Sequence, residues 1–568
     1  MESTRAQGCE TRPGGRLAPV TESTDSIVDE IRAGYAFEGP ALEFGAAVSD
    51  GGTAHPDAVV RIPLSAMNRH GLVAGATGTG KTKTLQLMAE QLLAQGVPVF
   101  LADIKGDLSG MASPGQPNDK VAARTQDVGM TWTPTAYPVE FYSLGGQGKG
   151  IPVRAAVSTF GPTLLSKVLG LNATQESSLG LVFHYADARG YYLDTIADLR
   201  AVVQHLTSDE GKADLKELGG LSSATAGVIL RELITFSDQG ADAFFGLPEF
   251  DTSALLRSAA DGRGLASVLE LPAVQDRPQL FSTFLMWLLA DLFHDLPEVG
   301  DVEKPKLVFF FDEAHLLFDD ASKDFLDAIQ QTVRLIRSKG VGVFFVTQSP
   351  KDVPGDVLAQ LGNRVQHALR AFTPDDAAAL KAAVKTYPKT AYDLEELLTT
   401  LGTGEAVVTV LSEKGAPTPV AWTRMRAPES LMAPSPDATV DAIVAASPLL
   451  AQYGTPVERD SALEMLDKAS AERVLADQAA AEAAERATAD AAAAEEAAKA
   501  RAAAEKAAER ERAAAEKAAA AEARRKANEP GVVEQVVQSS AFRSMLRSAG
   551  TVLGREITRS VFGTTRRR

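Results

Sequence analysis

Apolar positions change their rhythm several times along this chain, and each change marks a different kind of structure. Residues 1 to about 45 are rich in Gly, Ser, Thr and Glu with little periodicity and read as a mostly disordered leader. From 58 to 425, short apolar runs alternate with helix-period segments and turn signals, the pattern of an α/β domain. Strands are predicted at Gly71–Ala74, 97–102, Leu307–Phe311 and 341–346. The last three are continuous apolar runs ending in a polar residue, as in strands buried on both faces of a parallel sheet. Within the long interval between the second and third, Leu164, Leu165, Val168 and Leu169 recur at helix spacing, as do Leu230, Leu233 and Ile234. A helical insertion is therefore expected over 160–245, broken at Gly219-Gly220 and Gly240. A packed accessory subdomain is the plain reading of it, and a lid or partner surface the alternative.

Past Pro434 and Pro436 the pattern changes, so 426–457 reads as a linker. Residues 458–527 are dominated by Ala, Glu, Lys and Arg without Gly or Pro, and predict a long solvated helix or weak coiled coil. In 530–568, Phe542, Met545, Leu546, Val552, Leu553, Ile557 and Val561 fall near one helical stripe. Arg543, Arg547, Arg555 and Arg559 decorate the other side. Such a basic amphipathic segment can dock on an acidic core of its own or a neighbouring subunit, on an anionic membrane as a peripheral contact, or on DNA phosphates.

Composition narrows these choices. At 568 residues the chain exceeds a single compact core. Its net charge of −17 gives no global attraction to nucleic acid or anionic lipid, so DNA contact would need a local patch or an assembled channel. No apolar stretch is long enough to span a bilayer, no h-region follows the N-terminal charges, and the single Cys9 cannot form an internal disulfide. A cytoplasmic protein fits all three. The seven histidines show no paired metal-ligand spacing, and Asp187, Asp194 and Asp198 read as a solvated helical face. The glycine-rich stretch 145–150 does not fit a dinucleotide fingerprint.

The chemistry lies elsewhere. Gly75-Ala76-Thr77-Gly78-Thr79-Gly80-Lys81-Thr82 matches Gly-x-x-x-x-Gly-Lys-Thr, entered by an apolar strand and left by a helix. Its glycines let backbone N–H groups turn around phosphate oxygens, and the following helix directs its positive end there. Lys81 can reach the β and γ phosphates of ATP, and the Thr82 hydroxyl can ligate Mg²⁺.

A second signal agrees. The run Leu307–Phe311 ends in Asp312-Glu313-Ala314-His315, putting carboxylates at a strand's carboxyl end, where ligands bind in parallel sheets. Asp312 is placed to hold Mg²⁺ and Glu313 to polarise the attacking water. His315 reads either as a packing residue or as a γ-phosphate relay. Gln348, after the fourth strand, can hydrogen-bond the γ-phosphate and the lytic water. Asp103, after the second, can assist catalysis or bind Mg²⁺, or act simply as a helix cap.

These motifs together resemble the HerA/FtsK clade of P-loop ATPases, and within it the YjgR-like branch. The resemblance covers about 58–425 and is carried by four segments: Ala102-Asp103-Ile104-Lys105-Gly106-Asp107-Leu108-Ser109, 311–318, 334–343 and 361–370. It implies a RecA-like α/β core with a mostly parallel sheet, assembled into a homo-oligomeric ring, commonly a hexamer, with ATP at subunit interfaces. An arginine supplied in trans would complete the site. The family pattern points to Arg337, with Arg334, Lys339 and Arg364 as alternatives. The sequence ahead of the P-loop is shorter and more polar than the complete β-barrel that precedes the core of HerA itself.

The leading expectation is thus an ATP-hydrolysing oligomeric motor of the HerA/FtsK type, acting on DNA. The alternative is a nucleotide-dependent scaffold or switch that binds protein or membrane partners through its C-terminal helices. A small-molecule kinase is a third reading, disfavoured because Glu313 suits activation of water.

Overall fold

The computed structural model describes residues 24–217, 220–300, 302–318 and 323–526. The basic segment expected at 530–568, residues 1–23 of the expected leader and Gly219 lie outside them. The described chain falls into two units, one reaching to Ala471 and one from Glu472.

The first unit is built on a 12-stranded sheet. In chain order its strands are β1 Ala41–Ser49, β2 Thr53–Pro63, β3 Gly71–Ala74, β4 Val99–Asp103, β5 Val139–Leu144 and β6 Ile151–Val153. They continue with β7 Ala266–Glu270, β8 Leu307–Phe311, β9 Val341–Thr347, β10 Asn363–Gln366, β11 Glu405–Thr409 and β12 Ala421–Met425. The spatial order is β2-β1-β12-β11-β10-β3-β9-β8-β4-β7-β5-β6. From β10 to β6 every pairing is parallel, while β2, β1, β12 and β11 form an antiparallel flank. One strand, β9, separates the phosphate-loop strand β3 from the acidic strand β8, which is the RecA-like order.

Alternation along β8 explains the layering. Leu307, Phe309 and Phe311 join one apolar core; Val308 and Phe310 join the other. The first core is covered by the helices Pro278–Asp295 and Lys323–Ile336 and by the insertion. The second is covered by helix α2, Lys81–Ala94, through Leu85, Met88 and Leu92. A sheet buried on both faces accounts for the unbroken apolar runs.

The insertion is helical, as expected, with helices Pro162–Val168, Ala173–Arg189, Ile196–Thr207, Lys212–Glu217 and Ser223–Asp238. Capping boxes at Asn172 and Thr195 set the starts of two of them. The long C-terminal helix also forms, over Ala462–Lys526, and its residues 472–525 are exposed along their whole length.

Three expectations are corrected. Residues 24–45 are not a disordered leader: Thr24–Gly34 is a helix, α1, burying Ile27, Val28 and Ile31, and β1 follows it. Tyr35 anchors the helix end by donating its hydroxyl to the carbonyls of Val408 and Pro419. The apolar residues there are four apart among charges, a period that bulk composition hides. The segment ahead of the P-loop contributes the β1–β2 hairpin to the antiparallel flank.

Residues 426–457 are a strap rather than a free linker. The Glu90 carboxylate accepts the N–H groups of Glu429 (2.8 Å) and Ser430 (2.9 Å), and helices Asp437–Ala446 and Pro448–Tyr453 come after them. Strands β5 and β7 are not among the predicted strands, because polar Glu140, Ser143, Ser267 and Glu270 interrupt their apolar pattern, and β6 is only three residues long. Glu140 is tolerated there by contacts with Arg257 and Ser447. Asp187 is exposed as expected, but Asp194 and Asp198 are buried. Asp194 pairs with Arg459, and Asp198 accepts from Thr195, Ser461 and the Leu463 N–H.

Candidate active site

The glycine loop follows β3 at the carboxyl edge of the parallel strands. Its entry is pinned by two bonds: the Gly75 N–H donates to Thr347 (3.2 Å) and the Ala76 N–H to Ala368 (2.8 Å). At Gly75 a Cβ would lie 2.5 Å from that of His367, so no larger residue fits without displacing that chain. Helix α2 begins at Lys81 behind Gly80, whose φ is 117°, and no side chain caps it. Its first N–H groups are therefore left for an anion. Lys81 is buried, its ammonium reaching back to the Ala76 carbonyl at 3.3 Å. Burial pushes its pKa down, while Glu313 and Asp312 pull it back up.

Beneath the loop lies His367, wholly buried and held neutral because burial pushes it down to about 4. Its Nδ1 is 2.8 Å from the Glu405 carbonyl, which can only accept, so Nδ1 carries the hydrogen. Nε2 then accepts from the Thr84 hydroxyl at 2.9 Å.

Asp312 is 1% exposed. One of its oxygens accepts the Glu313 N–H at 2.9 Å, and the other, Oδ2, is buried without a partner. Burial, with Glu313 adding to it, pushes this carboxyl up to about 6. An orphaned carboxylate oxygen fits a divalent cation, which would supply the missing partner. Among the described residues no cluster of three or more His, Cys, Asp or Glu could hold a metal alone.

Glu313 is also buried, and its backbone is left-handed (φ 47°, ψ 48°), uncommon away from glycine. Its Oε1 contacts the Lys105 ammonium, and its Oε2 lies 3.4 Å from His315 Nδ1. Burial pushes the Glu313 carboxyl up, but Lys105, His315 and Lys81 together hold it below its ordinary value.

The other expected residues are placed differently. Gln348 is exposed just past β9 and lines a cleft of about 560 Å³ with Ala76, Thr77 and His315. Asp103 has the geometry of the cap alternative. Its carboxylate accepts three N–H groups of its own loop, those of Lys105 (3.2 Å), Gly106 (2.7 Å) and Leu108 (2.8 Å). Burial, with Glu270 opposite it in register on β7, pushes Asp103 up to about 8. Arg337 lies in the turn Arg337–Lys339 ahead of β9, at the amino end of a seven-residue strand whose carboxyl end leads into Gln348. It is therefore remote from its own P-loop. Lys339 donates to the Leu296 carbonyl and Arg364 to Thr386, while Arg334 is exposed on the helix before Arg337.

The structure thus brings the loop 75–82, Asp312, Glu313, His315 and Gln348 to one edge of the sheet, and leaves Arg337 at the other. Sequence reasoning missed the roles of Lys105 and His367. A cation two residues past an acidic strand end was the only hint of the former. A second cleft, about 1090 Å³, opens at the far side of the loop beside Lys83, Thr84, Gly404 and Met425. There Arg124 donates to the carbonyls of Gly404 (2.7 Å), Met425 (2.8 Å) and Thr403 (3.1 Å).

Against known proteins, the profile of the family described as "Helicase HerA-like C-terminal" matches residues 50–568. The DNA double-strand break repair helicase HerA of Sulfurisphaera tokodaii is 22% identical over 360 residues, covering 62% of this chain and 64% of that protein. The chain thus spans less than two thirds of that relative's length. Among solved structures, VirB4 of Thermoanaerobacter pseudethanolicus is 14% identical with a TM-score of 0.44, over 69% of this chain and 97% of that one. The plasmid coupling protein TrwB in complex with ADP and Mg²⁺ is 16% identical with a TM-score of 0.43, over 70% and 99%. Likenesses this distant assign no function to the chain.

Proposed function

We propose that this chain, which belongs to the helicase HerA-like C-terminal family, is an ATP-hydrolysing oligomeric motor that acts on DNA. The observation that carries the hydrolytic part is the charge neighbourhood shared by Lys81, Asp312 and Glu313 at the mouth of an uncapped helix. In this reading the N–H groups of the loop 75–82 and of the start of α2 cradle the phosphates. Lys81 bears on the β and γ phosphates, and the nucleoside extends into the cleft beside Lys83 and Thr84. Thr82 and Asp312 would hold Mg²⁺, which when bound would neutralise charge on the phosphates. Glu313 takes a proton from the attacking water, while Gln348 and His315 face the γ-phosphate across the smaller cleft.

A ring is part of the proposal because Arg337 lies at the opposite edge of the sheet from its own P-loop. There it can serve a neighbouring subunit as the trans-acting arginine. The proposed motor unit comprises 58–425 together with the helix Thr24–Gly34 and the β1–β2 hairpin ahead of it and the strap behind it. Among the described residues no helix is long and apolar enough to cross a membrane, and the proposed setting is the cytoplasm. With a net charge of −17, DNA would be gripped by few basic residues in a pore rather than by the outer surface.

A second reading has one observation in its favour. The stretch 472–525 is helical and exposed throughout, an arm suited to a protein partner in a nucleotide-dependent scaffold. ATP turnover of the size-fractionated full chain, with and without single- and double-stranded DNA, separates the two. The motor requires stimulation by DNA that fades as salt is raised. Unchanged turnover at saturating DNA of either form leaves the scaffold.

A further inference from the structure

We propose that Arg370 bonds the γ-phosphate of a nucleoside triphosphate held by the P-loop of its own subunit, and so lets the chain tell a triphosphate from a diphosphate. The proposal rests on the reading of the loop 75–82 as the nucleotide site.

Backbone bonds fix where Arg370 stands. The chain leaving β10 is tied to the loop at Ala368, whose carbonyl accepts the Ala76 N–H at 2.8 Å. The next residue, Leu369, is buried and donates its N–H to the Leu398 carbonyl at 2.9 Å. Arg370 follows at once, so its root is held two residues from the bond that pins the loop. Its side chain lines the cleft of about 560 Å³ together with Ala76 and Thr77 of the loop, His315 and Gln348.

The other charged groups on that cleft are already committed. Asp352 accepts the Thr347 hydroxyl and the Ser349 N–H, both at 2.8 Å. Asp376 accepts the Thr373 N–H at 3.1 Å in the capping box of helix Pro374–Val384, and the Lys351 ammonium lies 3.9 Å from it. His315 faces Glu313. Arg370 is exposed, and among the described residues it has neither a hydrogen bond nor an ion pair. A guanidinium is a planar fork that matches phosphate oxygens, and here it is the cation of the cleft with nothing to give up before meeting one. Set beside Lys81, it adds a second positive charge where the transferred phosphoryl group carries its negative charge. A diphosphate has no group to reach it, so the contact separates substrate from product.

The test is equilibrium binding of a non-hydrolysable ATP analogue and of ADP, each with Mg²⁺, to the full chain as wild type, Arg370→Gln and Lys351→Gln. Arg370→Gln should weaken the analogue by about 10- to 100-fold, the worth of a hydrogen bond to a charged group, and leave ADP unchanged. Lys351→Gln should leave both unchanged. An unaltered analogue in Arg370→Gln, or equal losses for both nucleotides, overturns the proposal. A matching loss in Lys351→Gln overturns it too, since the effect would then belong to the net charge of the cleft. Mixed oligomers of Arg370→Gln with Lys81→Ala subunits should not regain tight binding of the analogue, because no subunit carries both groups. Regained binding would assign Arg370 to a neighbour's site and overturn its role in its own. Arg370→Lys repeats the comparison if Arg370→Gln does not fold, with a smaller loss confined to the analogue. A wild-type chain that binds neither nucleotide removes the nucleotide reading and the proposal together. Wild type binding both, beside an unaltered Arg370→Gln, removes the Arg370 contact alone.

Discussion

Nε2 of His367 lies 2.9 Å from the hydroxyl of Thr84, joining the chain that leaves β10 to the first turn of the P-loop helix. With Nδ1 on the Glu405 carbonyl, the imidazole bridges two elements that the phosphate loop depends on. His367→Ala should cost about 2–4 kcal/mol, because it opens a cavity and leaves both partners unpaired. Urea denaturation measures it, and a loss below about 1 kcal/mol would mean the bridge contributes little.

His70 and His367 are both pushed down to about 4 by burial. An unfolded imidazole titrates near 6.5, so between roughly 6.5 and 4 the unfolded chain binds more protons. Their contribution to stability is complete above that window and is lost as pH falls through it. Asp103 and Glu270, raised to about 8 and 7, act oppositely: their contribution is lost as pH rises through those values. A comparison between chains isolates one histidine. His70→Asn keeps an acceptor for the Val343 N–H that Nδ1 now takes, and its melting temperature should fall less steeply than wild type as the solution is acidified. Parallel slopes would mean that His70 protonates as readily folded as unfolded.

Lys81→Ala should abolish nucleotide binding or turnover. Glu313→Gln should bind ATP normally yet hydrolyse it on the order of 10²–10⁴ times more slowly. Binding of a fluorescent nucleotide and phosphate release, measured on the same samples, give the two readings. Normal turnover in Glu313→Gln would remove it from the base role.

Arg337 stands at the opposite edge of the sheet from Gln348, so its proposed role needs a neighbour. Arg337→Ala should retain nucleotide binding and lose turnover. Mixed oligomers of Arg337→Ala and Glu313→Gln subunits should recover part of it, since some interfaces then carry both intact groups. No recovery in verified mixed oligomers would place the arginine elsewhere.

Glu90 holds the strap by accepting the N–H groups of Glu429 and Ser430. Glu90→Ala removes the acceptor of both N–H groups and of the Ser430 O–H, with an expected loss of about 2–4 kcal/mol. Cleavage of the strap near Ser430 should become faster in limited proteolysis. An unchanged pattern would show that the strap is held by other contacts.

Much of the site was legible because its chemistry is local. The loop 75–82 and the pair Asp312-Glu313 depend on contiguous residues, and an apolar run ahead of each announces the strand that delivers them. The Ala-rich helix was legible for the same reason, since propensity accumulates along one segment. Residues 24–45, the strap and strands β5 to β7 were not. Their polar members are satisfied by partners far away in sequence, as Glu140 is by Arg257 and Ser447.

By itself, then, the chain order of residues determined the phosphate loop, the acidic strand end and the long helix. Only the tertiary structure decided that Lys105 touches Glu313 across 208 residues of sequence, that His367 lies beneath the loop, and that Asp103 spends its carboxylate on its own backbone. The physical reason is the parallel sheet. Strands β4, β8, β9, β3 and β10 come from distant parts of the chain, and their carboxyl ends meet at one edge, so the site's electrostatics are set by neighbours that no local pattern records.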